Sequence, residues 1–166
     1  MGSRRKHPLL TLLLLALLPA LLTGACSKPA GNSRFIAAQQ ARSEGGVYRF
    51  DVHFDDTTAL YTLELAARLV ASQLPGETLS LDIRIVDPAG NYSIERVDLP
   101  LAEGSGIRLT HGGGTVVDGS WPWRDFPASG GVWRFLIQPA NPAQAPALLG
   151  LGFSYTLKEP QYDGKR

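Results

Sequence analysis

Tyr48-Arg49-Phe50-Asp51-Val52-His53-Phe54 alternates apolar and polar side chains without a break. An extended chain repeats every two residues, so Tyr48, Phe50, Val52 and Phe54 share one face and Arg49, Asp51 and His53 the other, as in a half-buried strand. The pattern recurs downstream. Tyr61, Leu63, Leu65, Ala67 and Leu69 alternate with Thr62, Glu64, Ala66 and Arg68, and the turn-favouring Asp55-Asp56-Thr57-Thr58 between the two runs predicts an antiparallel hairpin. Leu79, Leu81, Ile83 and Ile85 form a third run, closed by the turn Asp87-Pro88-Ala89-Gly90-Asn91. Beyond it Tyr92 and Ile94 share one parity and Val97 and Leu99 the other, which predicts a β-bulge near Glu95-Arg96. Trp133, Phe135 and Ile137, then Leu151, Phe153, Tyr155 and Leu157, supply the last strands. About seven or eight short alternating strands without a helical period predict an all-β fold, an antiparallel β-sandwich.

Working outward to the amino end, Arg4-Arg5-Lys6, the Leu-rich run from Leu9 to Leu22 and the small residues Thr23-Gly24-Ala25 make a secretory signal peptide over residues 1–25. Its apolar run of about 14 residues is too short to span a bilayer core of about 30 Å as a permanent helix. The only cysteine of the chain, Cys26, follows directly. That is where a bacterial lipoprotein carries its covalent diacylglycerol and N-acyl lipid, and two or three acyl chains anchor firmly where one does not. Residues 26–46 are expected to be the lipidated cysteine and a flexible tether, within which Arg34 to Ser43 reads equally as a short helix or an extended lead-in. The sandwich is expected over 47–158, and 159–166 as a tail.

Removing Arg4, Arg5 and Lys6 leaves 13 basic and 15 acidic side chains in a mature chain of 141 residues, the size of one domain. The basic residues occur singly, so no nucleic-acid surface is expected. Membrane attachment is expected through lipid alone, and with no acidic cluster behind Cys26 the chain reads as periplasm-facing.

No catalytic constellation emerges. His111-Gly112-Gly113-Gly114 copies the oxyanion loop of esterases, but Gly104-Ser105-Gly106 lacks the spacing of a nucleophile elbow. Asp55 and Asp56 read as turn formers rather than calcium ligands, and His53 and His111 have no cysteine left to join them in a zinc site. No metal, cofactor or small-molecule substrate is expected. Asp118 to Gly131 reads as a long irregular loop. Within it Trp121, Trp123 and Phe126, with Arg124 and Asp125 between them, form a candidate interaction loop for a protein or a stacked sugar ring, or else a lid over one end of the sandwich.

The segments Tyr48-Arg49-Phe50-Asp51-Val52, Asp56-Thr57-Thr58 with Tyr61-Thr62-Leu63, Asp87-Pro88-Ala89-Gly90, Phe126-Pro127 with Gly131-Val132-Trp133-Arg134-Phe135, and Leu148-Leu149-Gly150-Leu151-Gly152-Phe153 together resemble the gliding-motility lipoprotein family GldH of the Bacteroidetes. The Gly112 to Gly114 loop and the segment from Pro139 to Pro146 depart from it. The resemblance implies a non-enzymatic envelope lipoprotein, an accessory of the gliding machinery and its associated secretion, whose partners are other envelope proteins. The alternative is a surface lipoprotein that binds glycans through the Trp121 and Trp123 loop.

Overall fold

The computed structural model describes residues 31–55, 59–102, 110–112 and 116–158. In chain order they form β1 (Gly31–Ala37), the short helix α1 (Ala38–Ser43), β2 (Tyr48–Phe54), β3 (Leu60–Val70), β4 (Thr78–Val86), β5 (Tyr92–Pro100), β6 (Thr110–Gly112), β7 (Val116–Pro127), β8 (Gly131–Pro139) and β9 (Leu148–Leu157). Two antiparallel sheets result, one in the order β1-β9-β3-β7-β6 and the other β2-β8-β4-β5. The expected β-sandwich is therefore present. Cys26 and residues 1–25, where a signal peptide is expected, lie outside the described residues.

Three expectations are corrected. The first concerns β2 and β3, which are not a hairpin: β2 pairs with β8, and β3 pairs with β7 and β9. Their apolar faces meet across the core, where the Phe54 and Tyr61 rings lie 4.5 Å apart at the connection. Alternation fixes which face of a strand is buried, and it is silent about which sheet the strand joins.

The second concerns β5. Its register with β4 runs unbroken from Val86 opposite Tyr92 to Thr78 opposite Pro100, with no bulge at Glu95-Arg96. The strand instead turns Glu95 toward the other sheet, where Arg124 neutralises it, and leaves Tyr92 and Ile94 exposed. The bulge sits in β7: Leu63 opposes Arg124 and Glu64 opposes Pro122, which leaves Trp123 as the extra residue.

The third concerns the tether. From Gly31 onward it is part of the fold, because β1 pairs with β9 from Gly31 opposite Thr156 to Ala37 opposite Gly150. Ile36, Ala38 and Ala41 are buried. The Phe35 ring lies over the β9 glycines. A methyl group on Gly150 would fall 2.3 Å from that ring, so glycine here makes room for an aromatic ring on the outer face.

Phe50, Phe54, Leu63, Leu65, Leu81, Ile83, Phe135 and Ile137 fill the space between the sheets. The proline-rich segment forms a 3₁₀ turn, Pro142–Ala147. Its buried Gln144 donates from Nε2 to the Thr78 carbonyl at 2.7 Å and accepts the Ser80 amide at 3.2 Å, which pins the turn to the start of β4.

Candidate functional site

The residues Trp121 to Phe126 do not form a loop. They lie within β7, hydrogen-bonded along β3, and both Trp121 and Phe126 are 4% exposed. The Trp121 indole N–H donates to the Pro100 carbonyl at 2.9 Å. Trp123 meets Phe135 and Phe153 edge-on, with ring centroids 6.2 and 6.4 Å away. A face that packs on the core cannot stack on a sugar, so the tryptophan platform and the lid are both replaced by a core strand. Arg124 leans over the Trp123 and Phe126 rings and ion-pairs with Glu95 of the other sheet, joining the two layers along one side. Asp125 accepts hydrogen bonds from the Thr62 hydroxyl and the Lys158 ammonium group on the outer face.

Of the remaining candidates, His53 lies 3.0 Å from Asp55, a highly exposed pair at the end of β2. Asp56, Ser105 and Gly113–Gly114 fall outside the described residues. The His111 backbone is in β6, opposite Val117. Among the described residues no group of three or more His, Cys, Asp or Glu side chains converges as a metal site.

Two concave features lie on the side where the edges of β1 and β2, unpaired among the described residues, run side by side, and a third of about 380 Å³ lies on the outer face of the four-stranded sheet between Val47, Asp82, Arg84 and Leu136. A cavity of about 160 Å³ is lined by Asn32, Arg34, Asp51, His53 and Tyr155 among others, and the Asn32 amide donates to the Tyr155 hydroxyl at 2.7 Å. Arg34 and Asp51 also line a wider, open cleft of about 660 Å³ that continues past Arg49 to Glu44, Val47 and Leu136. The sequence carries no signal for this cleft, because one wall of it, β1, has the composition of a tether.

Directly paired charges hold the strands in register. Arg68 on β3 meets Asp118 on β7 at 2.7 Å, Arg96 on β5 meets Asp82 on β4 at 2.9 Å, and Arg134 on β8 meets Asp51 on β2 at 2.9 Å. Hydrogen bonds from Arg68 and Arg96 hold the Asp118 and Asp82 carboxyls below their ordinary value of 3.8. For Asp51 partial burial pushes upward, and the hydrogen bonds from Arg49 and Arg134 outweigh it. A carboxyl depressed in the folded state stabilises fully above its unfolded value near 3.8, and that contribution is lost as pH falls through the lower folded value. The urea midpoint should therefore hold from pH 7 to pH 5 and drop between pH 4 and 2, less steeply in Asp118→Asn than in the parent protein. A midpoint that rises on acidification contradicts this account.

Comparison with known proteins adds no family. No family model and no curated protein matches the chain. Among solved structures, a protein from Sulfurospirillum deleyianum aligns over 79% of this chain and 99% of its own, at 12% identity and a TM-score of 0.35.

Proposed function

We propose that this protein is a non-enzymatic lipoprotein of a bacterial envelope, held to the membrane through lipid on Cys26 and acting by contact with other envelope proteins. The role is similar to that implied by the GldH resemblance, an accessory component of gliding or its associated secretion. The observation that carries the reading is the cleft from Arg34 to Leu136, which runs beside the open edges of β1 and β2. An extended polypeptide can add backbone hydrogen bonds to an open strand edge while its side chains settle in the adjoining cleft, which gives both affinity and selectivity. Arg34, which has no ion pair among the described residues, adds a cation for an acidic partner residue.

The test is crosslinking of the tagged protein in its native envelope, followed by mass spectrometry of what co-purifies. Capture of motility or secretion-channel components, reduced several-fold by Leu136→Glu or Arg34→Glu in a chain that remains folded, is the expected result. Recovery of polysaccharide-handling proteins alone, indifferent to both substitutions, would overturn this reading.

A further inference from the structure

The strand registers define two ends of the sandwich. At one of them β1 begins, beside Thr156 near the close of β9. The same end holds the connection from Phe54 to Leu60, the turn from Asp87 to Asn91, and the link from Pro127 to Gly131, which packs on Pro88. We infer that this end rests on the lipid bilayer, with its exposed apolar side chains in the interfacial layer. The inference deepens the lipoprotein reading and rests on it.

Two observations converge. The first is the reach of the chain. Cys26 and Gly31 are separated by five residue steps, which span roughly 17 Å at most when fully extended. A tether running to residue 46 would reach roughly 70 Å and leave the orientation open. Because the fold takes up the chain from Gly31, where β1 starts, the anchor holds that end close to the membrane. The strands themselves are long, and the 11 residues of β3 cover roughly 36 Å at about 3.3 Å each. The opposite end, with α1 and the 3₁₀ turn Pro142–Ala147, then stands well clear of the lipid when the sandwich is upright.

The second observation is the distribution of exposed apolar side chains. Leu60 opens β3 and Leu157 closes β9, while Tyr92 and Ile94 are the first and third residues of β5 and Val132 is the second of β8. Their exposures run from 37% for Leu60 to 66% for Ile94. Leu60, Leu157, Val132 and Tyr92 lie within roughly 10 Å of this end by strand rise, whereas Ile94, opposite Arg84 and so level with Leu136, stands roughly 17 Å up. Phe35 is the one other large apolar side chain exposed among the described residues, and its ring is spent on Gly150 and Gly152. Tyr92 carries the Arg84 guanidinium 4.0 Å over its ring, an aromatic body with polar tips suited to the headgroup layer. Asp55 and Asp87 stand at the same end, so the contact is apolar rather than electrostatic and does not need anionic lipid. Exposed apolar groups that ring one end of a domain on both of its outer faces mark a contact for that end, and here the covalent anchor brings lipid to it.

The lipidated full-length mature protein in phosphatidylcholine vesicles containing doxyl-labelled lipid supplies the test. Lipidation occupies the Cys26 sulfur, so Ser129→Cys at the membrane end and Ala145→Cys at the far end each offer one thiol for a fluorophore. Several-fold stronger quenching at position 129 than at 145 is expected, at low and high salt alike. Adding Tyr92→Ser and Val132→Ser should bring the position 129 signal down toward that at 145. Equal quenching at both positions, or no response to the serine pair, overturns the inference while the lipid mass on the N-terminal peptide keeps the lipoprotein reading intact. An N-terminal peptide without lipid overturns both.

Discussion

Trp121→Ala should lower the unfolding free energy by about 3–5 kcal/mol, the range for truncating a large buried aromatic side chain in a packed core. The indole is 4% exposed, and its N–H is committed to the Pro100 carbonyl. It also lies against Gly119, where a methyl group would fall 2.2 Å from the ring. Trp121→Phe restores most of the buried area but not the hydrogen bond, and should recover all but about 1–2 kcal/mol. Total stabilities of domains this size are about 5–15 kcal/mol, so the alanine variant loses a large share and its urea midpoint falls accordingly. An exposed binding loop makes the opposite prediction, a change within about 0.5 kcal/mol together with lost binding. A stable Trp121→Ala variant would therefore take β7 out of the sheet and restore the loop.

β7 was illegible in the sequence for physical reasons that can be named. Its bulge at Trp123 shifts the parity midway, so Trp121 and Phe126 do not fall on one two-residue repeat although both face the core. Its inward Arg124 reads as a surface residue until Glu95 of the facing sheet is placed against it. Its prolines lie beyond the part that β6 covers, Val116 to Asp118, so that among the described residues only β3 pairs with β7 there, as an edge position tolerates. β1 was hidden differently. As an edge strand it buries Ile36 and leaves Asn32 to Phe35 exposed, so its composition matches that of a linker. By contrast β2, β3, β4, β8 and β9 each put an unbroken apolar face into the core, and their alternation was enough to find them. The cleft beside β1 shared the fate of its wall. The tryptophans stood out because aromatic residues beside prolines resemble a binding loop, and one-dimensional pattern cannot separate that from a bulged strand.

Phe54→Ala should cost about 3–5 kcal/mol, and a double-mutant cycle of Phe54→Ala with Tyr155→Leu should return a coupling of about 0.5–1.5 kcal/mol. Phe54 ends β2 in the four-stranded sheet and is 1% exposed. Its ring lies 5.1 Å from Tyr155 on β9, edge to face, 4.5 Å from Tyr61 on β3 and 6.0 Å from Phe126 on β7, all three in the five-stranded sheet. One side chain thus bridges to three strands of the facing layer beside the connection that carries the chain from sheet to sheet. That arrangement is what turns a would-be hairpin into a crossing. With the aromatic cluster in the core, β2 gains β8 as its hydrogen-bonding neighbour and β3 gains β7 and β9, so both strands satisfy their ladders without pairing to each other. Urea unfolding of the four proteins of the cycle measures the coupling. A value below about 0.3 kcal/mol would mean that the two rings do not touch and would move β2 out of its place opposite β9. Loss of Phe54 also loosens the end of the sandwich assigned to the bilayer, so in lipidated protein this variant should weaken the position 129 quenching even at urea concentrations where the rest of the domain remains folded.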